Sequence, residues 1–91
     1  METMGIRKCA FVTGGSRGIG KGIALVLAEQ GYDIAVTYAT AVDEAMNTKA
    51  SVESFGRRCF VYQANLEKSD VPEAVTKQAI SDLGRLDVLV N

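Results

Sequence analysis

The chain has 91 residues, of which 47% are hydrophobic and 23% are charged, a balance typical of one soluble globular domain. A net charge of −1 leaves no basic surplus of the kind that binds nucleic acid. The chain lacks histidine, the commonest general base and metal ligand. Cys9 and Cys59 lie in apolar runs without a CxxC spacing, so we expect two buried, reduced thiols and no metal site. No signal core or apolar run of transmembrane length occurs, and we expect a cytoplasmic protein.

Four short apolar runs alternate with three helical patterns along the chain. The predicted strands are Cys9 to Val12, Ile34 to Tyr38, Cys59 to Tyr62 and Leu86 to Val90. The predicted helices run from Ile19 toward Gly31, from Val42 to Phe55, and from Asp70, with Pro72 in its first turn, to Leu83. The first helix is expected to pack through Ile19, Ile23, Val26 and Leu27, with Ala24 and Ala28 beside them. The third helix is expected to pack through Val71, Val75, Ala79 and Leu83.

This βαβαβαβ alternation predicts an α/β fold, in which a parallel sheet carries helices on both faces. Right-handed crossovers then favour the strand order 3-2-1-4, which is half of a Rossmann-type doubly wound sheet. We therefore predict that residues 1–91 are the N-terminal part of a single Rossmann-type domain, truncated after its fourth strand. The apolar fourth strand ends directly at Asn91 and would form a bare sheet edge, so we expect a fragment of a longer protein.

The segment that carries chemistry is TGGSRGIG, residues 13–20, between the first strand and the first helix. Gly14 permits a sharp turn, Gly18 lets the backbone approach a diphosphate, and Gly20 lets the helix pack close to the sheet. The first helical turn holds no acidic residue, so its positive end stays available to an anion. An alternative is a phosphate-binding P-loop, since residues 15–21 fit G-x4-G-K, but Gly22 stands where that motif needs serine or threonine.

The TGGSRGIG segment resembles the TGxxxGIG motif of the short-chain dehydrogenases/reductases. Asn65-Leu66 is similar to that family's Asp-Val/Leu pair after the third strand, and the run ending at Asn91 resembles the approach to its NNAG motif. Asn65 departs from the usual aspartate, although an amide oxygen can still accept a hydrogen bond. Within the family, the loop is most similar to the 3-oxoacyl-(acyl-carrier-protein) reductases.

The resemblance implies a cofactor-binding role for twelve residues and a catalytic role for none. The implied cofactor-binding residues are Gly14, Ser16, Arg17, Gly18, Ile19, Gly20, Tyr38, Ala39, Thr40, Asn65, Leu66 and Asn91. The catalytic serine and the Tyr-x-x-x-Lys residues of the family would lie beyond the chain.

The cofactor preference is predicted from charge near the end of the second strand. An NAD-specific site places a carboxylate about 20 residues beyond the glycines, where it holds the ribose 2′-hydroxyl. Asp33 comes too early for this position and Asp43 too late, while Arg17 could pair with a 2′-phosphate. Many relatives have a second arginine just beyond this strand, where the chain has Thr40. NADP(H) is therefore favoured over NAD(H).

The resemblance implies NADPH-dependent reduction of a small-molecule carbonyl to an alcohol, with a 3-oxoacyl thioester as one substrate and a homo-oligomer, dimer or tetramer, as the assembly. Sugar and steroid dehydrogenase-like relatives remain open as alternatives, as does a non-catalytic dinucleotide-binding or regulatory module. The sequence predicts neither a nucleic-acid partner nor a membrane partner.

Overall fold

The computed structural model describes residues 7–14, 18–64 and 73–90, which form a four-stranded parallel sheet with three helices. In chain order the elements are β1 (Lys8–Val12), α1 (Gly18–Glu29), β2 (Tyr32–Tyr38), α2 (Val42–Glu53), β3 (Cys59–Gln63), α3 (Glu73–Leu83) and β4 (Val88–Val90). The strand order is β3-β2-β1-β4, and every neighbouring pair is parallel. The predicted Rossmann-type fold and strand order are therefore confirmed.

Helices cover both faces of the sheet because successive strand residues point to opposite sides. The cluster on one face joins the sheet to α1 and α2, and its buried members are Ala10, Val12, Ala24, Ala28, Ile34, Val36, Val52 and Cys59. The cluster on the other face joins the sheet to α3, and its buried members are Cys9, Phe11, Ala35, Ala79 and Leu83. Burial on both sides explains why the strands read as nearly continuous apolar runs.

The packing face predicted for α1 was partly wrong. Ile19 is 85% exposed and Val26 is 52% exposed, whereas Ala24 and Ala28 are completely buried. Two alanines four residues apart lie on the same side of a helix, and their small side chains allow its backbone to approach the sheet closely. The larger apolar residues of α1 that remain, Ile23, Leu25 and Leu27, pack only partly buried around this contact.

The boundaries of β2 and β4 also differ from the prediction. β2 begins at Tyr32 rather than Ile34, because ladder pairing with β1 starts at Lys8 and Tyr32, and the fully buried Asp33 side chain is hydrogen-bonded to Arg58. β4 begins at Val88 rather than Leu86, since ladder pairing with β1 starts at Ala10 and Val88, while Leu86 packs against the α3 side of the sheet from the preceding loop.

The helix ends agree with the glycine pattern of the sequence. Gly31 has a φ of 105°, as predicted for the left-handed residue after α1. α2 ends at Glu53, before the predicted Phe55, which is 42% exposed. In α3, Ala79 and Leu83 are buried as predicted, while the predicted start at Asp70 with Pro72, and Val71 of its packing face, lie outside the described residues. Among the described helices, which are 11 or 12 residues long, none could cross a membrane.

Candidate functional site

The candidate site lies at the carboxyl edge of the sheet, which we define as the ends of β1, β2 and β4 and the residues directly after them. β1 is the central strand here, since it pairs with β2 on one side and β4 on the other. The chain leaves β1 for α1 and β2, and returns to the opposite side of β1 only with β4. In open α/β sheets, ligands bind in the crevice at such a reversal of strand order.

Hydrogen bonds to both neighbouring strands fix the turn that follows β1. The backbone N–H of Thr13 donates to the carbonyl of Val90 at 2.9 Å, and its hydroxyl donates to the same oxygen at 3.2 Å. On the other side, the backbone N–H of Gly14 donates to the hydroxyl oxygen of Thr37 at 2.8 Å. The start of the glycine-rich segment is therefore held between β4 and β2.

Two glycines of this segment adopt conformations that other residues rarely adopt. Gly14 has a φ of 69° and Gly18 has a φ of 62°, both in the left-handed region. A Cβ placed on either residue would meet no atom of the described residues within 4 Å, so the space on that side of the backbone is open. The glycines are therefore required by the backbone conformation, and they leave room for a ligand to approach the chain.

The N-terminus of α1 combines exposure with an absence of negative charge. Gly18 is its first residue, and its first turn contains no acidic side chain. Ile19 is largely exposed, Gly20 and Lys21 are half-buried, and Gly22 is exposed. Since the first N–H groups of a helix have no acceptor within it, this end can donate to an anion and carries about half a positive charge.

Backbone hydrogen bonds hold the segment after β2, and no carboxylate lies within it. The carbonyl of Tyr38 accepts from the N–H of Ala64 at 2.8 Å, and the carbonyl of Ala39 accepts from Nε2 of Gln63 at 2.9 Å. Tyr38 is half-buried, while Ala39 and Thr40 are exposed. The nearest acids along the chain are Asp33, buried within β2, and Asp43 in the first turn of α2.

Five predicted site residues lie outside the described part of the chain: Ser16, Arg17, Asn65, Leu66 and Asn91. Two of them directly follow described residues along the chain. Ala64 precedes Asn65 and is bonded to the end of β2, and Val90 precedes Asn91 and is bonded to Thr13. The described members of the predicted set lie at the ends of β1 and β2 or at the start of α1.

The amino edge of the sheet, where the strands begin, carries a buried carboxylate that the sequence analysis left unexplained. Asp33 accepts hydrogen bonds from the backbone N–H of Arg58 at 2.9 Å, from Nε of Arg58 at 2.8 Å and from Arg7 at 3.1 Å. Burial raises the pKa of this carboxyl, but the hydrogen bonds and charge of Arg58, together with Arg7, outweigh it and hold the pKa below its ordinary value.

A second carboxylate at the amino edge joins β1 to β4. Asp87 accepts from the backbone N–H of Cys9 at 2.9 Å, and the backbone N–H of Asp87 donates to the carbonyl of Cys9 at 2.9 Å. Arg85 donates to both carboxylate oxygens of Asp87, at 2.6 and 2.9 Å. The hydrogen bond from Arg85 and then that from Cys9 lower the pKa of Asp87.

Both cysteines are buried, reduced thiols, as predicted. Burial raises the pKa of Cys59 to about 12, and burial also raises the pKa of Cys9. At neutral pH both side chains are therefore protonated and poorly nucleophilic. Over residues 7–14, 18–64 and 73–90, the acidic and cysteine side chains form no group of three that could hold a metal ion.

Comparison with known proteins agrees with this geometry. The family model described as short chain dehydrogenase matches residues 8–91. The chain is 45% identical, over 86 residues, to a 3-oxoacyl-(acyl-carrier-protein) reductase of Staphylococcus epidermidis, covering 94% of this chain and 35% of that reductase. The chain thus spans about a third of the length of the curated relatives that it matches.

Solved structures give the same result at the level of the fold. An acetoin dehydrogenase from Enterobacter cloacae superposes with a TM-score of 0.86 at 42% identity, covering 94% of this chain and 34% of that chain. A short chain dehydrogenase from Burkholderia cenocepacia, solved in complex with NADP, superposes with a TM-score of 0.84 at 41% identity, covering 92% and 34%.

Proposed function

Because this chain belongs to the short-chain dehydrogenase/reductase family, we propose that the full-length protein is an NADP(H)-dependent oxidoreductase that reduces a carbonyl group to an alcohol. The chain supplies the dinucleotide-binding half of a Rossmann domain. Two observations carry this proposal: the turn of Thr13 and Gly14 is held between two strands, and the next helix in the chain begins without an acid. Family membership disfavours the P-loop alternative. Gly22 disfavours it as well, because glycine has no hydroxyl with which to bind a metal ion.

The described residues fit a dinucleotide. Open space at Gly14 and Gly18 lets a diphosphate approach the backbone, and the first N–H groups of α1 are available as donors to its oxygens. When bound, the dinucleotide supplies the hydride-transfer chemistry, while the chain binds and orients it. The residues proposed to contact it are Gly14, Ser16, Arg17, Gly18, Ile19, Gly20, Tyr38, Ala39, Thr40, Asn65, Leu66 and Asn91.

Preference for NADP(H) is supported by the segment after β2. No acid occupies residues 38–40, so no negative charge in this segment repels a 2′-phosphate. Asp33 is paired with Arg7 and Arg58 at the amino edge, so it is not available to accept a hydrogen bond from the ribose. The structural neighbour from Burkholderia cenocepacia binds NADP, and this likeness favours the same cofactor here.

Arg17 is the proposed partner of the 2′-phosphate. We expect Arg17→Ala to weaken NADPH binding at least about ten-fold more than NADH binding, the range for a hydrogen bond to a charged group. Titration of the full-length protein with each cofactor, followed by fluorescence of the reduced nicotinamide, measures both affinities. Lys77→Ala removes an equal charge from an exposed position on α3 and should change neither. Equal weakening of the two cofactors by Arg17→Ala contradicts this assignment.

A 3-oxoacyl thioester is the first substrate candidate, because the relative from Staphylococcus epidermidis is a 3-oxoacyl-(acyl-carrier-protein) reductase. Acetoin is the second, from the structural neighbour from Enterobacter cloacae. Oxidation of NADPH by the full-length protein with these two compounds and a panel of steroid and sugar ketones tests the proposal. We expect turnover with at least one compound. Tight NADPH binding without turnover on any of them favours a non-catalytic binding module. A cytoplasmic location and a homo-oligomeric assembly stay predictions of the sequence.

A further inference from the structure

We propose that Thr37 is a positioning residue for the bound dinucleotide, an inference that rests on the proposed function. Thr37 is fully buried in β2 between apolar neighbours, where threonine is a polar exception. Its hydroxyl oxygen accepts the backbone N–H of Gly14 at 2.8 Å, across 23 residues of sequence. Thr37 does not need to touch the cofactor, because it acts through the glycine-rich turn.

The bond from Gly14 to Thr37 depends on a side chain, whereas the other side of the turn keeps a backbone-to-backbone bond even without the hydroxyl of Thr13. On the β4 side, a backbone N–H of Thr13 reaches a backbone carbonyl of Val90, and no substitution removes that donor except proline. On the β2 side, the acceptor is a side chain. A single exchange at position 37 can therefore release one side of the turn while the other side stays fixed.

Loss of the bond between Gly14 and Thr37 should weaken cofactor binding more than it lowers the stability of the fold. Gly14 is exposed and its bond to Thr37 is only partly buried, so we expect its N–H to turn to water once the hydroxyl of Thr37 is removed. The turn then loses its fixed direction toward the start of α1. A ligand that needs the turn in one conformation must order it on binding, and that ordering weakens affinity.

The diphosphate is common to NADPH and NADH, which gives the proposal a distinctive signature. A defect in the turn after β1 should weaken both cofactors by the same factor. A defect transmitted along β2 to residues 38–40, which directly follow Thr37, should instead weaken NADPH selectively. The ratio of the two affinities therefore separates the two routes by which position 37 could act.

The test compares Thr37→Val and Thr37→Ser in the full-length protein. Valine keeps the shape of threonine but has no acceptor, and serine keeps the acceptor. We expect Thr37→Val to raise the Kd of both NADPH and NADH by about three- to ten-fold, the range for one neutral hydrogen bond. Thr37→Ser should stay within about two-fold of the wild type. Thr48→Val, the same exchange at a buried threonine of α2, should leave both affinities unchanged whatever it does to Tm.

The outcomes divide as follows. Equal loss for both cofactors, with rescue by serine and none of this loss in Thr48→Val, supports the proposal. Unchanged affinity in Thr37→Val, a loss confined to NADPH, or an equal loss in Thr37→Ser each overturns it while leaving the proposed dinucleotide binding intact. Failure of the wild-type protein to bind either cofactor overturns the proposed function and this inference together.

Discussion

The two edges of the sheet are built from different kinds of bonds. At the amino edge, the carboxylates of Asp33 and Asp87 accept hydrogen bonds from arginines and from the backbone of neighbouring strands. At the carboxyl edge, the turn after β1 is held by the uncharged bonds of Thr13 and Gly14. Charged groups thus join the strands where they begin, whereas uncharged groups shape the edge where an anion is proposed to bind.

A physical reason underlies this separation. A carboxylate near the start of α1 would stabilise the positive end of that helix, but it would also occupy or repel an anionic ligand. The same carboxylate placed at the amino edge strengthens the sheet without that conflict. If this account is right, substitutions at the amino edge should change stability and leave cofactor affinity alone, while those at the carboxyl edge should do the reverse.

The largest expected effect is that of a negative charge introduced at the carboxyl edge. We expect Gly18→Asp to raise the Kd for NADPH by at least about 100-fold, since like charges brought together cost several kcal/mol. Fluorescence titration of the full-length protein measures the change. Gly84→Asp is the matched control, because Gly84 also has a positive φ and open surroundings but precedes β4 at the amino edge. Comparable losses of NADPH affinity in both variants would contradict the claim that charge matters for binding only at the carboxyl edge.

The next largest effect is the loss of the buried carboxylate at the amino edge. Asp33→Asn removes the charge to which Arg58 and Arg7 are paired, and we expect the free energy of unfolding to fall by about 2 kcal/mol. Urea unfolding of the full-length protein measures this change. Glu29→Gln, at an exposed acid ending α1, should shift stability by no more than about 0.5 kcal/mol. A ten-fold or greater loss of NADPH affinity in folded Asp33→Asn would contradict the claim that the amino edge affects stability and not cofactor binding.

The smallest effect concerns pH. The folded protein holds the pKa of Asp33 below its ordinary value of 3.8, so the stability this residue contributes is fully present above that value. It is lost as the pH falls through the lower pKa of the folded state. The difference in unfolding free energy between the wild type and Asp33→Asn should therefore be constant near neutral pH and narrow below about pH 3.8. Asp87 is present in both proteins, so its contribution to the pH dependence cancels in the difference. A difference that stays constant at lower pH refutes the role given to Asp33.

The features predictable from the sequence were those that follow from local pattern and chain connectivity. Alternation of apolar runs with helical patterns, together with the handedness of crossovers, was sufficient for the β3-β2-β1-β4 order. The left-handed conformation of Gly31 followed from its place after a helical pattern, and Gly14 turns sharply after β1 as expected. The glycine conformations depend on residues that are close together in the sequence, and the strand order depends on the handedness of the connections.

The features that escaped prediction depend on contacts between distant residues. The bond between Gly14 and Thr37 and that between Asp87 and Cys9 exist only once strands are paired in register. A threonine within the apolar second strand was the available signal for the first of these. The exposure of Ile19 was missed because periodicity identifies an apolar side of a helix but not which residues of that side lie nearest the sheet.

The contact of α1 through Ala24 and Ala28 has a consequence for how tolerant this protein is to change. Both side chains are single methyl groups packed in the core between α1 and the sheet. A larger side chain at either position would therefore overfill this contact. Added volume there can be accommodated only by moving the helix as a body, and its first residue, Gly18, moves with it. The two methyl groups that set the distance between α1 and the sheet therefore also set the position of the helix end at which an anion is proposed to bind.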